Sequence, residues 1–529
     1  MKRNTIIPKP LYMLFLSLMT LIQFNCSKSD DEPITDPDPV VVEPITLDSE
    51  INDFIWRGLN EIYLWQEDVP NLSDTKFFSN TDYVTFYNNY GKSDELSQDI
   101  VKDYFTFLND YSAPESLFDD LLYQKDVVDR FSWIEDNYTA LEDFFQGNSN
   151  SNGLDFGLVR LSGSDDVFGY VRYVANNSDA SGKDIHRGDF FLTVNGQQLN
   201  VNNYVNLLFG ANNTYTLGMA DITNNTIALN GKAVELTKTN FTESPILVNK
   251  VIDAGGIKVG YLMYNQFLIN FELELNDVFS LFKAEGIDEL VLDLRYNLGG
   301  NGYIAVDLAS MITGQFEGDI FYKKQWNSKY QAYFEANAPE ILVNPFVNEL
   351  SDGTPISSLN LNKVYILTTD ETASSSELII NGLNPYIDVI QIGTNTTGKF
   401  HGSVTLYDSP NFEKTDANPN HKYAMQPLVI KATNVNGVSD YYDGLVPDYL
   451  ITYNTSAGTA EGENLLNFGT LGDANEPFLA KALELITGTT TKFDLDKANK
   501  LGVKVEPVAS SKDFNTRGSG LIVDFKPIK

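Results

Sequence analysis

Cysteine occurs once in 529 residues, at Cys26, so neither a disulfide framework within the chain nor a multi-cysteine zinc site can form. Histidine occurs three times, at His186, His401 and His421. These are far apart and none lies in an H-E-x-x-H pattern, so no metal and no other cofactor is expected. Basic residues are also scarce: 37 Lys and Arg stand against 72 Asp and Glu, a net charge of −35. A phosphate backbone needs a basic face, so no nucleic-acid partner is expected. No single acidic block dominates, and the charge reads as a solvated surface that favours solubility. Bulk, in contrast, is plentiful. The chain has 28 Tyr and 33 Phe within a hydrophobic fraction of 42%, enough for sizeable cores and against a mainly disordered chain. At about 150 residues per domain, the length suggests roughly three domains.

The apolar run Leu11 to Phe24 follows Lys2, Arg3 and Lys9 and ends at Asn25-Cys26. It is shorter than the roughly 18 residues that cross a bilayer as a helix. A basic start and a short apolar stretch read as an export signal over residues 1–25. Cys26 falls where a bacterial lipoprotein signal is cut, so lipidation there is the favoured expectation. The flank Phe24-Asn25 is looser than the usual small-residue pattern, and a free secreted form is the alternative. Residues 26–47 are polar and Pro-rich, a flexible lipidated tether. Its acidic Asp30-Asp31-Glu32 resembles surface-export signals of Bacteroidetes lipoproteins. The expected location is the cell envelope, as an outer-membrane lipoprotein anchored at Cys26, on either the periplasmic or the outer side.

Residues 48–150 read as an N-terminal helical domain. Ile51, Ile55, Leu59 and Ile62 recur at helical spacing, and Tyr104 to Leu108 and Trp133 to Phe145 continue in that style. The Asn/Ser-rich stretch Gly147 to Gly153 marks a boundary. Over 153–243 short β-rich runs appear, Phe156 to Leu161, Phe168 to Val174 and Asp189 to Val194, separated by turn residues. From 246 to 490 strands and helices alternate. Ile257 to Tyr264, Glu289 to Leu294, Lys363 to Thr369 and Val389 to Gly393 are strands; Phe271 to Lys283, Ala305 to Ile312, Ser374 to Leu383 and Glu476 to Ile486 are helices. That alternation predicts an α/β domain with crossover connections. Residues 491–529 read as a C-terminal tail, and no role is apparent for the aromatic stretch 315–350 beyond lining a cleft.

In such a sheet, chemistry collects where strands end and helices begin. Two strand ends qualify. Val291-Leu292-Asp293-Leu294 runs through Arg295-Tyr296-Asn297-Leu298 into Gly299-Gly300, whose glycines let the backbone approach a substrate and present N–H groups. Thr372-Ala373-Ser374-Ser375-Ser376-Glu377 follows another strand and opens a helix. Ser374 with Glu377 fits a capping box, a purely structural device. The same geometry sets a serine hydroxyl beside unpaired N–H groups at the positive end of a helix. A serine needs a base to take its proton. Lys399, twenty-five residues further on in Thr396-Thr397-Gly398-Lys399, lies one strand–helix–strand unit away. A lysine in an apolar pocket loses its charge more readily and can serve as that base; an exposed lysine would be an ordinary surface charge.

The two stretches, their order and their spacing resemble the carboxyl-terminal processing (tail-specific) serine peptidases. The resemblance implies an α/β, α+β multidomain fold: a crotonase/ClpP-like catalytic domain, a PDZ-like β domain and an N-terminal helical domain, in a Bacteroidetes-type lipoprotein. It implies a Ser–Lys dyad of Ser374 and Lys399, a motif glutamate at Glu377, and oxyanion donors at Ser375 and at Gly299 or Gly300. Gly182-Lys183-Asp184-Ile185-His186-Arg187-Gly188-Asp189 with Val194-Asn195-Gly196 resembles a PDZ core, and Phe156-Gly157-Leu158 matches its carboxylate-binding loop; a generic small β domain is the alternative. Asp443-Gly444-Leu445-Val446-Pro447-Asp448 resembles the family's Gly-x-x-Pro-Asp turn. Where many members carry a glutamine four residues after the lysine, this chain has Ser403. The implied function is a serine endopeptidase acting on protein or peptide substrates, with the PDZ-like domain docking or gating them. A catalytically inactive binding lipoprotein on the same fold is the alternative, and a glycan hydrolase lacks the paired carboxylates it would need.

Overall fold

The computed structural model describes residues 44–89, 96–223, 226–455, 458–489, 505–514 and 520–525. The expected export signal, Cys26 and the tether up to residue 43 lie outside the described residues. From Ile45 onward the chain forms one compact unit.

Helix α1 (Glu50–Ile62) carries Phe54, Ile55, Leu59 and Ile62 fully buried. Its polar residues are buried too, and they are paired: Arg57 donates to Asp53 at 2.8 Å and to Asp408 at 2.9 Å. A helix apolar on one face and paired on the other lies inside a larger body. Gly58 shows how closely it packs, since a Cβ there would lie 2.5 Å from the Met425 side chain. Helix α2 (Gln98–Asn109) joins the same core, which runs on through Leu292, Ile366 and Leu521. The helical segment therefore shares its core with the α/β part. Within it, Trp133–Glu135 is a strand paired with Ala424–Gln426, and the helix expected from Trp133 begins at Tyr138.

A seven-stranded sheet follows. Its described path is β1 (Leu154–Leu161), β2 (Val167–Val174), β3 (Phe190–Val194), β4 (Thr214–Thr223) and β5 (Thr226–Thr237), antiparallel throughout. Phe156, Gly157 and Leu158, expected in a loop, lie inside β1. The loop reading fails because the stretch from Leu154 to Val159 is buried throughout and pairs antiparallel with β2, with its one charged residue, Asp155, held by Arg172 inside the fold.

The central six-stranded sheet has the order β6 (Ile246–Asp253), β7 (Lys258–Tyr264), β8 (Glu289–Asp293), β12 (Lys363–Thr368), β13 (Asp388–Gly393), β16 (Tyr449–Leu450). All neighbours are parallel except β6 and β7. Flanked on both edges and covered on both faces, β8 is apolar through its middle, Leu290, Val291 and Leu292, between an acidic residue at each end. Helices α3 (Glu272–Glu285), α4 (Gly302–Ile312), α5 (Ser375–Leu383) and α6 (Pro477–Thr487) complete this layer.

A second six-stranded sheet has the order β9 (Gly300–Asn301), β18 (Leu521–Ile522), β14 (His401–Ser403), β15 (Leu428–Asn434), β10 (Ile320–Trp326), β11 (Val343–Pro345). The aromatic stretch 315–350 thus supplies the far edge of this sheet and packs on α1, where Asn327 donates to the Glu61 carbonyl at 3.1 Å and Tyr330 to the Glu61 carboxylate at 2.6 Å; it builds core where a cleft lining was expected. The C-terminal stretch read as a tail supplies strands to two sheets: β17 (Val505–Ser510) pairs antiparallel with β1, and β18 sits between β9 and β14.

Candidate active site

Strands β8 and β12 lie side by side, so the turns that leave their ends meet. Three bonds sew them together. Thr372 Oγ1 donates to the Leu294 carbonyl at 2.9 Å, the Ala373 N–H to the Asn297 carbonyl at 3.0 Å, and Ser376 Oγ to that same carbonyl at 3.0 Å. Below them Arg295, fully buried, donates to Asp293 and to Glu476, each at 2.7 Å. A charge so deep persists only when paired, and here it fixes the start of the Gly-Gly turn.

Ser374 caps α5 with φ +60° and ψ −111°. For a non-glycine residue this costs on the order of 1–3 kcal/mol and survives only where surroundings over-determine it. Those surroundings are the glutamate three residues on. Glu377 is fully buried, and its Oε2 accepts the N–H of Ser374 at 2.7 Å and the N–H of Lys399 at 2.8 Å. Its Oε1 accepts the Gly398 N–H at 2.7 Å and Thr396 Oγ1 at 2.5 Å. Burial pushes this carboxyl up and the four donors pull it back, with burial the larger effect. The Ser374 hydroxyl lies over the N3 amide, yet is buried with no hydrogen bond of ordinary geometry.

The structure therefore brings Ser374, Glu377 and Lys399 together. The amide nitrogens of Ser374 and Lys399, separated by helix α5 and strand β13, share one carboxylate oxygen. Lys399 is 3% exposed, and its Nζ sits 4.6 Å from the Phe131 ring centre. Burial lowers its pKa to about 8; Asp129 and Glu377 pull it up, Arg130 down. Thr397 Oγ1 is spent on the Asp370 carbonyl at 2.6 Å, while the lysine's backbone N–H is held by Glu377.

Of the expected oxyanion donors, Ser375 is the first helical residue, whose N–H has no acceptor within the helix. Its side chain donates to the Gly300 carbonyl at 2.8 Å. Gly299 lies against the serine: at φ +104°, a Cβ there would come 2.8 Å from Ser374 Cβ. Its own N–H, however, donates to Asn297 Oδ1 at 2.8 Å. Phe156, Gly157 and Leu158 stand apart from this cluster, in the seven-stranded sheet. Of the histidines, His401 is buried against Trp65 and Phe400, and burial drops its pKa to about 3; His421 pairs with Asp408 at 3.0 Å, and His186 is exposed.

Three contributors escaped sequence reasoning. Arg130 donates to the Gly398 carbonyl at 3.0 Å, Phe131 faces the lysine, and Asn297 ties the Gly-Gly turn to the Tyr264 carbonyl at 2.8 Å. Arg130 and Phe131 come from the helical segment, where nothing in the local pattern signals a site.

These features define a multidomain α/β fold with its candidate chemistry at two adjoining strand-to-helix turns. The family model for peptidase family S41 matches residues 258–411, and that for the peptidase S41 N-terminal domain matches residues 50–133. Both matched stretches are thus similar to peptidase family S41. A carboxyl-terminal-processing protease of Picosynechococcus is 26% identical over 168 residues, 32% of this chain and 35% of that one. The chloroplastic carboxyl-terminal-processing peptidase 1 of Arabidopsis thaliana is 24% identical over 169 residues, 32% of this chain and 31% of that one. The chain thus spans about a third of the length of these curated relatives. A solved Bacteroides fragilis structure assigned to the S41 proteases shares the fold, with a TM-score of 0.60 at 24% identity over 83% of this chain and 98% of that one.

Proposed function

We propose that this chain is a serine endopeptidase in which Ser374 is the nucleophile and Lys399 the general base. The observation that carries the reading is the Glu377 carboxylate, whose single oxygen Oε2 holds the N–H of both residues. Neutral Lys399 takes the proton from Ser374 Oγ as that oxygen attacks the scissile carbonyl. The Ser375 N–H at the helix N-terminus stabilises the oxyanion. Lys399, now protonated, gives the proton to the leaving amine, and water releases the acyl group by the same steps in reverse order. The second oxyanion donor, from Gly299 or Gly300, completes the site once the Gly299 N–H leaves Asn297, so the arrangement described is a resting form. Substrates are proteins or peptides of the cell envelope, reached through export and a lipid anchor at Cys26. The seven-stranded sheet acts as a PDZ-like module that docks or gates them. Ser374→Ala should remove hydrolysis of an unfolded protein such as casein while thermal unfolding stays in place. Full activity in that variant would remove Ser374 from the mechanism.

A further inference from the structure

The last described residues of the chain lie where a bound polypeptide would. At one end, β17 adds to the outer edge of β1 in antiparallel register, Gly157 opposite Ser510 and Leu158 opposite Ala509. Beyond it the Ser511 N–H donates to the Phe156 carbonyl at 2.8 Å, and Phe514 stacks on Phe209 with ring centres 3.9 Å apart. Adding an extended strand to a sheet edge, with an aromatic anchor in a neighbouring pocket, is a mode of peptide recognition. Lys512 then reaches across to the Tyr296 carbonyl on the stretch leading to Gly299. A cavity beside Gly299 is walled by Ser511 and Lys512.

At the other end, β18 fills a slot between β9, which holds Gly300, and β14, which begins two residues after Lys399. Leu521 is opposite Gly300 on one side and Gly402 on the other. Without β18 these two strands have no partner in the slot, because among the described residues no other strand joins them. Gly520 lies on the lysine itself, so that a Cβ there would come 2.3 Å from Nζ. Leu521 and Val523 are buried in the shared core.

We propose that the edge of β1 and the slot between β9 and β14 are two parts of one track for an extended polypeptide, and that the chain's own stretches 505–514 and 520–525 are its resident occupants, displaced by substrate. The proposal rests on the peptidase reading above and deepens it. The occupant specifies the substrate class: an extended segment with an aromatic residue for the Phe209 face, a residue without a side chain against the lysine, and aliphatic residues after it. The Gly299 N–H turned onto Asn297 belongs with such an occupied, resting site.

The probe is a fluorescently labelled peptide of residues 505–525, added to full-length chains carrying Ser374→Ala so that no turnover intervenes. Phe514 is 37% exposed, so Phe514→Ala removes its stack on Phe209 without opening a core. The peptide should bind the Ser374→Ala/Phe514→Ala chain at least about threefold more tightly than the Ser374→Ala chain, because the weakened resident yields more readily. Equal affinity for the two chains, or binding to neither, would overturn the proposal and make the segment a fixed part of the fold. With Ser374 intact, Phe514→Ala should raise kcat/KM for casein by a similar factor, and added peptide should reverse the gain competitively. An unchanged kcat/KM in a chain that hydrolyses casein also overturns it. Differential peptide binding without any casein hydrolysis supports the track and counts against the peptidase reading alone.

Discussion

Replacing Lys399 by Met tests whether burial, and nothing else, makes this lysine a base. The ordinary lysine value of 10.5 falls to about 8 here, with burial as the largest cause. That difference is a penalty of about 3 kcal/mol on the charged ammonium in the fold, at about 1.36 kcal/mol for each pKa unit. Below pH 8 the lysine is charged in both folded and unfolded chains, so the whole penalty bears on the native state. Between pH 8 and 10.5 the native lysine is neutral while the unfolded one still holds its proton. Stability then rises with pH as the penalty fades. Methionine fills the same space without charge, but loses the contact with the Phe131 ring, worth about 1 kcal/mol. At pH 7, Lys399→Met should therefore be the more stable chain by about 2 kcal/mol, while losing all peptidase activity. By pH 10.5 the gap should have closed. Urea unfolding of the two chains at pH 6, 7, 9 and 10.5 reads this directly, because every other titrating group is common to both. A gap that stays constant with pH, or a wild type that is the more stable at pH 7, would refute the reasoning.

Casein hydrolysis by the wild type should climb with pH through about 8 and then level off, since the base acts only when neutral; a profile flat from about pH 5 to about pH 9 removes a lysine base. Glu377→Gln puts an amide donor where all four partners are donors, so it should cost about 2 kcal/mol of stability and lower kcat by about a hundredfold, measured by urea midpoint and casein assay; unchanged activity would strip Glu377 of its positioning role. Gly299→Ala forces a side chain at φ +104° and 2.8 Å from Ser374 Cβ, so a loss of about 2 kcal/mol or more is expected together with loss of activity. A fully active, equally stable alanine variant would mean that the turn is freer than its packing implies.

Local patterns carried much of this architecture. The buried run of β8, the strand before Ser374 and the glycine pair were legible because each is a short apolar stretch ended by residues with a backbone reason to be there. The strand–helix–strand spacing from Ser374 to Lys399 was legible too, because a parallel crossover returns the chain to its starting side. What stayed hidden is non-local. Nothing near Arg130 or Phe131 says that they will close over Lys399. The short strand Leu521–Ile522 has no periodicity to detect; it exists because β9 and β14 leave room between them. The run Phe156-Gly157-Leu158 reads as β-rich from its own residues, and only its match to a PDZ carboxylate-binding loop puts it in a loop; in the sheet its glycine stands under the Tyr170 ring, where a Cβ would come 2.3 Å from the Tyr170 side chain.

The same distinction explains why the serine alone could not decide between a cap and a nucleophile. A capping glutamate at a surface helix needs one bond, to the N-cap amide, and its second oxygen faces water. Here the second oxygen is turned inward and occupied by Gly398 and Thr396, and the first oxygen is shared with Lys399. Burying a carboxylate completely in order to cap one helix would cost more than the cap returns. The excess is accounted for only if Glu377 fixes two turns against each other. What the two turns have in common is a strained serine on one and a lysine stripped of water on the other. On the proposed reading the cap and the catalytic site are one device: helix-end geometry places the hydroxyl, and the same carboxylate holds the lysine's backbone.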